Sequence, residues 1–281
     1  MMTVNRQFFP LLLLLTVSLS GCVREIGEDL GLVEERIDPW VQPDLADATI
    51  RPGAALGGGG CTGNFLFLDA DGGSVYIGTA AHCVSDDTEE ELTDTNGCDP
   101  RYIPAEPETV GVNVEGADRP AVLAYNSWYT MQQQGERNGD ACNFNDFALL
   151  RLHPDDAAKA HPAMWSFGGP TGDATDEASG DIIYTHGATA ARPNEELLDA
   201  RRGLIASTST WSHGTFQITP GLPGDSGSPV IRDDGKAIGI LVTLQAAPTP
   251  LSNDITDLGQ ALAYANGPGG MDVTLLTADL T

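Results

Sequence analysis

Three short segments of this sequence hold the groups that acyl transfer to water requires. That chemistry needs a nucleophile, a base for its proton, a carboxylate to orient the base, and donors for an oxyanion. Gly221-Leu222-Pro223-Gly224-Asp225-Ser226-Gly227-Ser228-Pro229 presents Ser226 between two glycines that permit a tight turn. On such a turn the N–H groups of Gly224 and Ser226 are placed to form an oxyanion hole. Gly78-Thr79-Ala80-Ala81-His82-Cys83 puts His82 after small residues at the end of an apolar run, where another segment can approach the imidazole. Asn143-Phe144-Asn145-Asp146 places Asp146 just ahead of the apolar Phe147–Leu152, and a carboxylate taken out of water there needs a partner such as the His82 Nδ1–H. Each segment has a bland reading too: a polar turn, a core histidine, a turn aspartate. His153, His161, His186 and His213 lack such a context and are expected to be structural.

The elements around these residues read as short strands broken by turns. Phe65–Leu68 and Val75–Ile77 flank Asp71-Gly72-Gly73, and Val230–Ile231 and Ala237–Leu244 flank Asp233-Asp234-Gly235, two hairpin patterns. Phe147–Leu152 and Ile182–Tyr184 are further strands, and 33 glycines and 18 prolines supply the turns an all-β chain needs. A helix is expected from a cap at Asn253 or Asp254 to about Asn266, stopped by Gly267. The acidic stretch Ser85–Asp94 reads as a solvated loop, because it lacks EF-hand spacing.

The chain has 281 residues, 40 acidic against 14 basic, for a net charge of −26. Nucleic-acid binding is excluded as a function class, since phosphate contacts need Lys and Arg, and only Lys159 and Lys236 are lysines. At the N-terminus Arg6 precedes the apolar Phe8–Leu19, which is too short to span a bilayer and reads as a signal peptide over residues 1–21. Leu19-Ser20-Gly21-Cys22 resembles the bacterial lipobox, which implies lipidation of Cys22 and a protein held by lipid to a bacterial membrane, outside the cytoplasm, at the outer membrane or cell surface. Residues 22–52, rich in charge and proline, read as a tether, with a short helix near Ile26–Ile37, ahead of a domain over 53–281. Cys61, Cys83, Cys98 and Cys142 remain as two disulfides, with three pairings open from spacing. Zinc is disfavoured because no pair has C-x₂₋₄-C spacing, and no metal or other cofactor is expected.

Taken together, Gly78–Cys83, Asp146–Leu152 and Gly224–Pro229 resemble the three catalytic motifs of the chymotrypsin/trypsin-like serine peptidases, in that family's order His, Asp, Ser. The separations of 64 and 80 residues suit two successive small barrels. The resemblance covers about residues 55–266. It implies an all-β fold of two six-stranded antiparallel barrels with a C-terminal helix, and a cleft site of His82, Asp146 and Ser226. It also implies a Cys61–Cys83 bridge, leaving Cys98 for Cys142, and protein or peptide substrates. The chain departs from the pattern at four places. Arg51 is followed by Pro52, so no Ile-Val-Gly-Gly activation site supplies a partner for Asp225. Leu222 stands where a pocket-shaping cysteine is expected. Val242, with Thr243 next to it, stands where a serine faces the triad aspartate. Residues 267–281 run past the family's usual end. Pro220, with no acidic side chain up to Leu222, argues against an Arg/Lys pocket, and Leu222 and Leu244 argue for an apolar one. The competing reading is a catalytically inactive homologue that serves as a surface binding lipoprotein. A quality-control protease with a PDZ module is disfavoured by chain length.

Overall fold

The two hairpin patterns become the nuclei of two separate antiparallel sheets. The computed structural model describes residues 39–87, 96–192, 196–244 and 252–280. A small ribbon of β1 (Ala55–Leu56) and β2 (Cys61–Thr62) leads into a six-stranded sheet. That sheet contains β3 (Leu66–Asp69), β4 (Val75–Thr79), β7 (Gly111–Val112), β8 (Ala121–Asn126), β9 (Ala148–Arg151) and β16 (Val273–Leu275), in the order β16-β3-β4-β9-β8-β7. A second ribbon joins β5 (Ser85–Asp87) to β6 (Tyr102–Pro104). The second unit is a closed barrel of β10 (Ile182–His186), β11 (Ala200–Thr208), β12 (Ser212–Gln217), β13 (Pro229–Arg232), β14 (Ala237–Leu244) and β15 (Asn253–Asp257), in the order β10-β11-β12-β15-β14-β13.

Two six-stranded antiparallel units are therefore present, as expected. The first is open: its edge strands β16 and β7 do not pair with each other among the described residues. The last strand comes from residues 267–281, the stretch past the usual end. Its Val273, Thr274 and Leu275 register against Asp69, Leu68 and Phe67 and cover the outer edge of β3.

Burial explains why the two units hold together. Leu66, Val75, Ile77, Leu123 and Leu150 fill the first sheet's interior, and Ile183, Ile205, Val230, Ile238 and Ile255 fill the barrel. A third cluster spans both: Phe65, Phe67, Tyr125, Phe147 and Leu149 from the first unit meet Ile231, Ile240, Val242 and Leu258 from the second. Phe67 and Phe147 meet edge to face at 5.6 Å within it. Burying such a side chain stabilises the fold by about 1.5–3 kcal/mol, so this shared cluster fixes the units against one another.

Two boundaries differ from the sequence reading. The C-terminal helix is Leu258–Asn266, capped by Asp257, whose Oδ1 accepts from Gln260 N at 2.7 Å. Asn253 and Asp254 lie instead in β15, because Ile255 and Thr256 continue a ladder against β12 and β14. Residues 39–52 of the expected tether lie against the first sheet. Trp40 Nε1 donates to Ala157 O at 2.9 Å and Ile50 is fully buried. The signal segment, Cys22, the helix expected at Ile26–Ile37 and most of the acidic loop lie outside the described residues.

Candidate active site

The first unit supplies an oriented imidazole. β4 ends at Thr79, and a 3-10 turn over Ala81–Val84 carries His82. Asp146 sits in the connection that enters β9 and is 1% exposed. Its Oδ2 accepts from His82 Nδ1 at 2.6 Å, and its Oδ1 from the His82 backbone N–H at 2.9 Å. One carboxylate thus holds both the ring and the backbone of the same residue. The bond places the proton on Nδ1 and leaves Nε2 on the side away from Asp146, as a base must have it. Val242, where the serine was missing, is buried in the shared cluster. Thr243 turns elsewhere, with its Oγ1 donating to Asp254 Oδ2 at 3.2 Å.

The second unit supplies the turn. Gly224 and Gly227 have φ of +98° and +91°, which side-chain-bearing residues rarely adopt. Gly227 is also where the units close. A Cβ there would lie 2.2 Å from Thr62 O and 3.1 Å from Ala80 N, next to the His82 turn. Ser226 O accepts from Thr62 N at 2.8 Å, and Gly224 O from Thr62 Oγ1 at 2.9 Å. Ser226 is thereby brought to the His82 segment, while its hydroxyl makes no hydrogen bond among the described residues. Apo sites often show such looseness between nucleophile and base, which tightens when substrate binds. The turn's N–H groups divide into two kinds. Asp225 N donates to Leu222 O and Gly227 N to Leu241 O, at 2.9 and 2.7 Å. Those of Gly224 and Ser226 have no acceptor among the described residues, as an oxyanion hole requires.

Asp225, wholly buried beneath the turn, has partners that the sequence reading missed. Arg192 Nη2 donates to Oδ1 and Oδ2 at 2.7 and 2.9 Å, Arg201 Nη1 to Oδ2 at 2.5 Å, and Leu222 N to Oδ2 at 2.8 Å. Two internal guanidiniums thus stand where the family pattern calls for an external cation. Beside them burial, then the charges of Arg201 and Arg51, push the His186 imidazole down to about 4. Both disulfides have formed as the resemblance implied. Cys61–Cys83 ties β2 to the His82 turn, and Cys98–Cys142 ties the chain near β6 to the helix Gly139–Phe144.

The sequence pattern of the trypsin-like peptidase domain matches residues 61–240, well over half of the chain. The chain belongs to that family. A search of curated proteins finds no match. Among solved structures the chain is similar to Thermobifida fusca Protease A, at 17% identity and TM-score 0.51, over 82% of this chain and all of that one. It is also similar to a Cellulomonas bogoriensis chymotrypsin (15%, TM-score 0.49, 81% of this chain and 98% of that) and a Nocardiopsis protease (15%, 0.48, 81% and 99%). The fold is accordingly chymotrypsin-like.

Beside Ser226, which is part of its lining, the domain has a cavity of about 180 Å³ formed with Leu222, Pro223, Leu241, Val242 and Asn253. No acidic side chain lines it among the described residues. The side chain of Leu244 lies outside them. Asn253, another residue missed from sequence, is fully buried and binds both walls. Its Oδ1 accepts from Gly221 N at 2.8 Å, and its Nδ2 donates to Thr243 O at 2.8 Å and Gly221 O at 3.4 Å. This bracing stands beside Leu222, where the pattern lacks its cysteine. No local motif marks Arg192, Arg201 or Asn253; β15 reads Asn-Asp-Ile-Thr-Asp, so no hydrophobic pattern singles out Asn253 either.

Proposed function

We propose that this protein is a serine endopeptidase working through an acyl-enzyme, with His82, Asp146 and Ser226 as its triad. One observation carries the reading. A histidine held at both its ring and its backbone by a buried carboxylate stands on one unit, against a glycine-framed serine turn with two unsatisfied N–H donors on the other. In the reaction His82 Nε2 takes the Ser226 Oγ proton as that oxygen attacks the scissile carbonyl carbon. Asp146 steadies the imidazolium, and the oxyanion accepts from Gly224 and Ser226 N–H. Collapse expels the amine, which takes the proton from His82, and water then releases the acyl group by the same path. The residue whose carbonyl is cleaved fits the cavity as a small or medium apolar side chain, since a guanidinium there would have no carboxylate partner. Lipid at Cys22 would hold the enzyme at a membrane outside the cytoplasm.

The test is cleavage of a peptide library by the wild type beside Ser226→Ala. Ser226-dependent cleavage after apolar residues is expected. A preference for Arg or Lys above about tenfold, roughly 1.4 kcal/mol in transition-state binding, would refute the pocket assignment. No Ser226-dependent cleavage at all would favour the inactive binding homologue. A fatty-acid probe incorporated into the wild type and not into Cys22→Ser is expected for the anchor.

A further inference from the structure

An oxyanion hole works only if its peptide planes face the right way, and a trans peptide carries its C=O and N–H on opposite sides. For the Ser226 donor the opposing carbonyl is Asp225 O, which accepts from Ser228 N at 3.0 Å and Ser228 Oγ at 2.6 Å, so the turn fixes that plane by itself. For the Gly224 donor the opposing carbonyl is Pro223 O. Its partner comes from a distant segment: Thr189 Oγ1 donates to it. Thr189 Oγ1 in turn accepts from Ala191 N at 3.1 Å, which leaves its single hydroxyl proton for Pro223 O. Gly224, lacking a Cβ, lies directly on Thr189; an added Cβ would come 2.5 Å from Thr189 Oγ1.

Thr189 is itself held firmly and is 6% exposed. It lies in a strap after β10 whose residues grip the site in succession. Ala188 N donates to Thr62 Oγ1 at 3.0 Å, Ala190 N to Gly59 O at 3.3 Å, and Arg192 reaches Asp225. We infer that Thr189 is a positioning residue that locks the Pro223–Gly224 peptide with its N–H facing the oxyanion. Without the lock this plane is free to rotate and present Pro223 O to the developing negative charge. The inference rests on the proposed peptidase activity and adds a residue that no motif contains.

Thr189→Val keeps shape and removes the hydroxyl, Thr189→Ala removes it with less bulk, and Thr189→Ser restores it. The enzymes are compared by kcat and KM on one peptide amide and by inhibition with a peptide boronate, whose tetrahedral adduct uses the hole. For Val and Ala, kcat is expected to fall about tenfold or more, since a whole lost donor costs about 10²–10³. KM should stay within about threefold and the boronate Ki should rise in step with the loss in kcat, on the logic that only transition-state contacts are lost. Serine should recover most of the loss. A kcat within twofold of wild type in both Val and Ala, a loss confined to KM, or an equal loss in Ser would overturn the role of Thr189. A wild type without Ser226-dependent turnover would instead overturn the activity and the inference together.

Discussion

Asp146 spends both carboxylate oxygens on His82, one on its ring and one on its backbone. The geometry therefore depends on the carboxylate more than on any neighbour, with no serine standing at Val242. Asp146→Asn is expected to keep the fold and lower kcat by about three to four powers of ten, because an amide N–H facing Nδ1 forces the wrong tautomer. Steady-state kinetics beside a circular-dichroism spectrum checks this, and a loss below tenfold would contradict it. The three candidate catalytic positions stand out in the sequence because each sits in a contiguous motif shaped by its own strand end or turn. Thr189, Arg192, Arg201 and Asn253 were not legible. They come from separate segments and meet the site only through folding, so no spacing announces them.

At the scale of elements, the pocket walls are two strands and a loop joined by one side chain. Asn253 ties Gly221 to Thr243, all three lining the cavity. Asn253→Leu keeps the volume and removes the tie, so KM on apolar substrates should rise several-fold while Ser226 still reacts with a small fluorophosphonate. An unchanged KM would dismiss the brace. The oxyanion turn rests on Asp225, already paired with Arg192 and Arg201 inside the chain. Activity is thus expected without a newly cut N-terminus. Asp225→Asn takes the carboxylate from buried Arg201 and leaves Arg192 with Asp199 at 3.6 Å, and should cost about 3–5 kcal/mol, read from urea unfolding. The strands themselves were legible where turn residues flank apolar runs. The helix start was misplaced because Asn253 and Asp254 are good caps by type, yet the ladder through Ile255 and Thr256 captured them. The three-residue strand at Val273 is too short to announce itself, and needs the edge of β3 to exist.

For the molecule as a whole, two half-buried titrating groups set opposing pH slopes. His186 is held neutral down to about 4 by burial and the nearby arginines, against 6.5 when unfolded. The unfolded chain binds that proton first, so stability falls as pH drops from 6.5 to 4. Burial, then Asp257 and Glu177, push the Asp173 carboxyl up to about 6, so its contribution falls as pH rises from about 4 to 6. The two nearly cancel in the wild type. Between pH 6 and 4.5 the stability curves of His186→Gln and Asp173→Asn should therefore move in opposite directions, each by on the order of 1–2 kcal/mol, with His186→Gln gaining on acidification. Parallel curves would contradict both assignments.

The central claim is that Ser226 is a nucleophile activated by His82. It is tested most directly by mapping the covalent adduct of a fluorophosphonate on the full-length protein. The account predicts a single adduct on Ser226, formed rapidly in the wild type, slowed by orders of magnitude in His82→Ala and absent in Ser226→Ala. A wild type that stays unlabelled, or a His82→Ala variant labelled at the wild-type rate, would contradict it.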